Sequence, residues 1–219
     1  MKPIPYLLAD GVRVPSVTTI IGACKLGSID GLLAWANREG AAGRSFEESR
    51  EAAADAGRCA HDRVYCYTHG RTFDESKWAP DTLARSEAPY QAFLEWAQQS
   101  NLTVAAGEVR IVSETMRFGG TLDAITVGDK LAVADWKTAA SVRVEYLIQI
   151  AAYGKLWEGA HPDMPLVGGY HIVRFSKPAH PDDPVHFAHH HWAHLDPAWE
   201  AFKHMRELYE LNKRLGKMI

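Results

Sequence analysis

Asp135 and Lys137 stand two residues apart where the apolar run Leu131-Ala132-Val133-Ala134 ends. That run reads as a sheet strand with little water on either side, and a charge buried there is costly unless it is paired or holds a metal. Positions i and i+2 of a strand share a face, so the two charges project together while Trp136 turns to the other side. The run before it, Gly119-Gly120-Thr121-Leu122-Asp123-Ala124-Ile125, carries a second acid, and the short connection between them makes an antiparallel hairpin. A two-residue loop, Gly128-Asp129, pairs Asp123 with Ala134 and separates the acids. A three-residue loop, Gly128-Asp129-Lys130, pairs Val127 with Leu131 and Asp123 with Asp135. Both lengths are common and local chemistry does not choose between them. The longer loop, or a bulge of equal effect, is expected because only then do the carboxylates converge. Two ionised carboxylates side by side repel unless they share a proton or a divalent cation. With a lysine on the same face, a cation is the expected answer: Mg²⁺ suits hard oxygen donors, and Mn²⁺ accepts a nitrogen as well.

Around this pair the chain changes character once. "YLLADGVRVPSVTTII" reads as a short hairpin turning at Asp10-Gly11, then a helix capped by Ser16. "SIDGLLAWANREGAAG" and "SFEESREAAADAGRCAHDRVYCYTHG" have helical spacing, with Ser45 as cap, Glu48 three residues on, and Gly70 as the stop. A further helix starts near Pro80, with Pro89 expected to kink or divide it. Then "TVAAGEVRIVSET", "RFGGTLDAITV" and "KLAVADWKT" read as three strands, "VEYLIQIAAYGKLWEG" as an amphipathic helix, and "PLVGGYHIVRF" and "VHFAHHHWAH" as two more strands. A last helix is expected with Asp196 as cap and Pro197 at its first position. The expected fold is α/β (α+β): a mixed central sheet flanked by helices. A single domain is expected over residues 1–219, mainly helical over 1–100 and sheet-bearing over 101–219.

Composition narrows the function classes. The 219 residues are 47% hydrophobic and 23% charged, as in an ordinary soluble domain. The formal charge of −3 argues against a broadly basic surface that coats duplex nucleic acid, while leaving room for a small basic groove. "MKPIPYLLADG" lacks the apolar core of a signal peptide, and no stretch approaches the ~20 apolar residues of a membrane span. The three cysteines, Cys24, Cys59 and Cys66, fit reduced thiols and a cytoplasmic location, not a disulfide framework.

The ordered set "GRCAH", "GGTLDAI", "VADWKT" and "QIAAY" resembles the PD-(D/E)XK nuclease superfamily, and more narrowly its RecB-type exonuclease branch, which includes phage and mitochondrial genome maintenance exonucleases. The resemblance runs from about Val14 to the final helix and takes in "VPSVTTII" and "YHIVRFSKPAHP". It implies a restriction-endonuclease-like αβββαβ core. It further implies that Asp123 and Asp135 ligate a metal, that the Trp136 carbonyl adds an oxygen and His61 a nitrogen, and that Lys137 is the catalytic lysine. Gln149 and Tyr153, four apart on one helical face, would lie near the site. Glu108 matches an acid often found one strand earlier, and Glu114 competes for that part. The cofactor would be Mg²⁺ or Mn²⁺; the cysteines of an iron–sulfur cluster are lacking, so none is expected. The implied activity is hydrolysis of DNA, from the ends of single strands. Structure-specific endonuclease work, or a non-catalytic DNA-end-binding module on the same fold, are the alternatives.

Other features are less directed. Arg58 and Arg44 are candidate substrate contacts, with Arg38, Arg63, Arg143, Lys155, Arg174 and Lys177 also available to phosphates. Trp35, Tyr65 and Tyr67 offer faces on which unpaired bases stack, or serve as core. The run "HFAHHHWAH" invites a zinc reading, but alternation splits His189 and His191 from His190, and a polar edge strand is expected instead.

Overall fold

The computed structural model describes residues 4–24, 29–175 and 186–218. A two-stranded hairpin, β1 (Tyr6–Leu7) and β2 (Arg13–Val14), opens the chain, with Gly11 at a positive φ in its turn. Helix α1 (Val17–Cys24) follows, its start held by Ser16, whose Oγ accepts from the Thr19 N–H at 3.0 Å. Helices α2 (Ile29–Ala41), α3 (Phe46–Thr68) and α4 (Pro80–Gln99) complete the first half. Ser45 caps α3 as expected, accepting from the Glu48 N–H. Pro89 is buried inside α4, which is one helix through it and not two.

The second half builds a five-stranded mixed sheet in the order β3-β4-β5-β6-β7. Strands β3 (Thr103–Ser113), β4 (Phe118–Val127) and β5 (Leu131–Thr138) are antiparallel neighbours. Helix α5 (Val144–Ala160) crosses over to β6 (Tyr170–Phe175), which lies parallel to β5. Strand β7 (Phe187–Trp192) pairs antiparallel to β6 and forms the far edge, so the histidine run is an edge strand as read. Lys177 lies outside the described residues. Helix α6 (Asp196–Leu215) closes the chain; its cap position is Leu195 with no side-chain hydrogen bond, so Asp196 is a first-turn acid and not the cap.

Helices cover both faces, which makes the fold a mixed α/β architecture. On one side Val17, Ile20, Ile150, Leu156 and Phe202 from α1, α5 and α6 pack with Phe118, Leu122, Val133 and Ile172. On the other, Val64, Phe93 and Trp96 from α3 and α4 pack with Ala134, Trp136, Val173 and Phe175. Val133 goes to the first cluster and Ala134 and Trp136 to the second, as strand alternation requires. The expectation of an amphipathic α5 is corrected: Ile148, Ile150, Ala151, Ala152, Tyr153, Gly154, Leu156 and Trp157 are buried almost all round it. A helix between a sheet and two other helices has no solvent side, and periodicity within it carries little signal.

Candidate active site

A β-bulge sets the first acid. Thr103 and Val104 face Val127 and Thr126, then the register slips by one so that Ala106 faces Ile125. Gly107 then pairs with Ala124 and Val109 with Leu122, which leaves Glu108 opposite Asp123. Without the bulge Gly107 would stand there. Glu108 has φ +51°, a left-handed backbone that costs a side-chain-bearing residue about 1–2 kcal/mol. On the other side Val127 pairs with Leu131 and the ladder runs to Ala124↔Ala134, the register of the three-residue loop. One further step along that register sets Asp123 against Asp135. There the ladder gives way, because the Trp136 N–H donates to Asp123 Oδ2 at 2.8 Å.

Helix α3 delivers the nitrogen donor. It comes close enough to β5 that a Cβ on Gly57 would lie 3.2 Å from Thr138 Oγ1, so only a small residue fits that crossing. One turn on, His61 Nδ1 lies 3.6 Å from Asp123 Oδ1. His61, Glu108 and Asp123 each offer a ligand atom, and all three atoms fall within 4.8 Å of one another. Among the described residues this is the group able to hold a metal ion. One imidazole nitrogen and two carboxylates suit Mn²⁺ or Mg²⁺.

The lysine sits beside this group in a network of its own. Asp135 is fully buried, and its Oδ2 lies 2.5 Å from Lys137 Nζ. That ion pair satisfies the buried carboxylate beside the three converging donors. Lys137 Nζ donates to Gln149 Oε1 at 3.2 Å, and Gln149 Nε2 reaches Tyr153 Oη at 3.0 Å and Asp135 Oδ1 at 3.4 Å. The ammonium also lies 5.0 Å over the Tyr146 ring. Tyr146, Gln149 and Tyr153 form one stripe of α5. The Tyr153 ring occupies the space over Gly120, where a Cβ would come within 2.7 Å of it.

Charges in this space are strongly coupled. Burial, helped by Asp123, pushes Glu108 up to about 7. Burial also raises Asp135 to about 7, against the pull of Lys137. For His61, burial acts downward, but Asp123 and Glu108 outweigh it and the imidazole is raised. Asp123 is lowered, because His61, Lys137 and the Trp136 N–H together overcome its burial. Lys137 is raised: Asp135 and Asp123 overcome burial and hold it as an ammonium. Of the roles open to a lysine here, acceptance of a proton as a neutral amine is therefore disfavoured.

The residues expected from sequence divide accordingly. Asp123, His61 and Glu108 converge, with Glu108 in the group able to hold a metal ion; Glu114 is exposed and accepts from the Ala9 N–H instead. Asp135 is not one of the three converging donors and is engaged with Lys137. Trp136 touches the centre through its N–H, and its ring packs against Phe93, Trp96 and Phe175. Gln149 and Tyr153 join the lysine network. Arg58 lies one turn before His61 and is ion-paired with Asp55. Arg44 is bound to Glu39 at 2.7 Å, in a knot with Ser49 and Trp35, which ties α2 to α3 and commits it elsewhere. Tyr146 went unread; its place three residues before Gln149 is the signal that would have found it.

No protein-family model matches the chain, and no curated protein matches it. Among solved structures the chain is similar to one described as LHK-Exo in complex with dAMP, at 14% identity and a TM-score of 0.33, over 94% of this chain and 95% of that one.

Proposed function

We propose that residues 1–219 act as one domain, a divalent-metal-dependent nuclease that hydrolyses phosphodiester bonds of DNA from the ends of single strands. The observation that carries this reading is the convergence of His61, Glu108 and Asp123 within 4.8 Å, beside the buried Asp135–Lys137 pair. The same reading takes in the resemblance of the motifs around these residues to the PD-(D/E)XK superfamily. A divalent ion, when bound, lowers the pKa of its water and polarises a phosphoryl oxygen. His61, Glu108 and Asp123 would hold it, with Asp135 Oδ2 and the Trp136 carbonyl as further oxygens.

The chain's own groups do the rest. Lys137, kept charged by Asp135, donates to a phosphate oxygen or orients the attacking water. Gln149 holds the ammonium through Oε1 and Asp135 through Nε2, so it fixes the lysine relative to the acid. Tyr153 fixes Gln149 in turn. Arg58, on the helix that carries His61, would contact the phosphate backbone on exchanging its Asp55 partner for it.

The test uses end-labelled single- and double-stranded DNA with Mg²⁺, Mn²⁺ or chelator. Degradation is expected with metal alone and is lost in chelator, in Asp123→Ala and in Lys137→Ala. A circular single strand separates end-dependent from internal cutting. Cleavage that persists in chelator would overturn the reading.

A further inference from the structure

A second cavity, of about 490 Å³, opens between the end of α3 and α4, on the side of α3 away from His61. Its walls include Arg63, Tyr67, Arg71, Phe73, Glu75 and Tyr90. We infer that it binds an unpaired nucleotide of a single strand whose neighbouring phosphodiester lies in the candidate active site. The choice of ligand rests on the nuclease reading; the cleft itself does not.

Its volume is that of a small-ligand pocket, and its chemistry is flat and cationic at once. The Arg63 guanidinium is wedged between the Phe73 and Tyr90 rings, 4.8 and 5.5 Å from their centroids, and is paired with Glu87 at 2.8 Å. Two aromatic rings and a carboxylate thus hold the guanidinium in the wall of the cleft. Arg63 Nε is buried and finds no acceptor among the described residues. Tyr67 is held against Phe93 in an edge-to-face contact at 5.6 Å, yet it is 53% exposed. A half-uncovered aromatic ring in a cleft that also holds a guanidinium is what a base stacks on without regard to sequence.

Arg71 links this cleft to the active site. A left-handed Gly70 ends α3, and the Arg71 N–H returns to Cys66 O at 2.8 Å, which fixes where its side chain starts. Its guanidinium lies 5.3 Å over the Tyr65 ring and forms no ion pair among the described residues. Tyr65 in turn lines the pocket that holds His61, Glu108 and Asp123. One uncommitted cation thus stands between the two pockets. Six residues of helix separate His61 from Tyr67, a rise of about 9 Å, and Tyr67 faces the far side of α3, so a strand that joins the two sites passes round the end of the helix at Gly70 and Arg71. The Glu75 carboxylate repels a phosphate from its side of the cleft and leaves the Arg71 side for the backbone.

The experiment measures binding in chelator, so that chemistry is silent. Fluorescence anisotropy follows labelled oligothymidylates of two to twelve nucleotides on the wild-type chain and on Tyr67→Ala, Tyr67→Phe and Arg71→Glu. Wild-type affinity is expected to rise with length to a plateau. Tyr67→Ala lowers that plateau by about tenfold or more, while Tyr67→Phe, which keeps the stacking face, stays near wild type. Arg71→Glu lowers the plateau and makes the salt dependence shallower. Equal binding by Tyr67→Ala and wild type at every length would overturn the inference. So would thymidine monophosphate binding as tightly as the longest oligomer, which marks a free-nucleotide site. A Tyr67-dependent plateau in a protein that never cuts with Mn²⁺ keeps the cleft and sinks the nuclease reading. Cutting that ignores Tyr67 at every length does the reverse.

Discussion

Two clusters of titratable side chains sit on the same sheet and behave oppositely. At the β3–β4–β5 end, His61 from α3 and the carboxylates of Glu108 and Asp123 bring one ligand atom each to within 4.8 Å of the others. At the β6–β7 edge, the His171 ring stacks on His191 with centroids 4.5 Å apart and lies tilted against His189 at 5.0 Å. Trp96 Nε1, which can only donate, points at His189 Nδ1 at 3.3 Å, so His189 carries its proton on Nε2. That proton goes to His171 Nδ1, 2.8 Å away, and His191 Nε2 donates to Gly168 O at 2.9 Å. The lone pairs of His189 Nδ1 and His171 Nδ1 are thereby consumed internally. Trp96, His189 and His171 thus form a hydrogen-bonded chain, whereas the cluster with one histidine is an open donor set. The number of imidazoles is thus a poorer guide to a candidate metal site than convergent carboxylates and net negative charge.

The sharpest way to break this contrast is a pair of variants. Asp123→Ala should weaken Mn²⁺ binding by more than about 100-fold, since loss of a mere outer-shell partner costs 10–100-fold. His189→Ala should leave Mn²⁺ affinity unchanged, and isothermal titration of both proteins decides the point. Equal losses would mean that the edge cluster also takes metal. Next in size is Lys137→Ala, expected to lower kcat about 10²–10³-fold while metal affinity stays or rises, because a nearby positive charge is gone. A loss of metal binding in that variant would make the lysine a scaffold for Asp135 and not a participant.

A smaller effect sharpens the other half. Burial and the neighbouring His189 and His191 push His171 down to about 4. The folded chain then binds fewer protons than the unfolded one between about 4 and 6.5, so this histidine makes stability rise with pH across that window. Stability falls as the pH drops through it. Glu108 and Asp135, raised to about 7, act in the opposite direction, so the difference between two proteins is the readout. Urea midpoints of His171→Gln should fall less than wild type between pH 6.5 and 4.5; parallel curves would remove His171 as the cause. Smallest of all, Trp96→Phe keeps most of the packing but leaves His189 Nδ1 without its donor, and should cost about 1 kcal/mol by denaturant unfolding.

Much of the fold was readable because it rests on local signals. Ser16 and Ser45 cap where a hydroxyl precedes a helical run, and the strands announce themselves by composition. Pro89 does not divide α4: a proline's cost is local, while the burial of Ala92, Phe93 and Trp96 that keeps the helix whole is not. The α5 periodicity failed for the same reason: its surroundings, not its own pattern, decide which sides are dry. At the site, Asp123, Asp135 and Lys137 were legible from strand alternation, but the choice of hairpin loop needed an argument from convergence. The rivalry between Glu108 and Glu114 had no local solution.

By itself the sequence determined which elements form, that one strand carries an acid and a lysine on a shared face, and that another acid stands one hairpin away. Those are consequences of side-chain alternation and turn chemistry, which act over a few residues. Only the tertiary structure decided that the one-residue slip between Val104 and Ala106 puts Glu108, not Gly107, opposite Asp123. It also decided that α3 crosses β5 at Gly57 and so carries His61 to within 3.6 Å of that acid. A register slip moves every residue beyond it, and a helix crossing depends on the packing of a whole layer. Neither is written in any short stretch of chain.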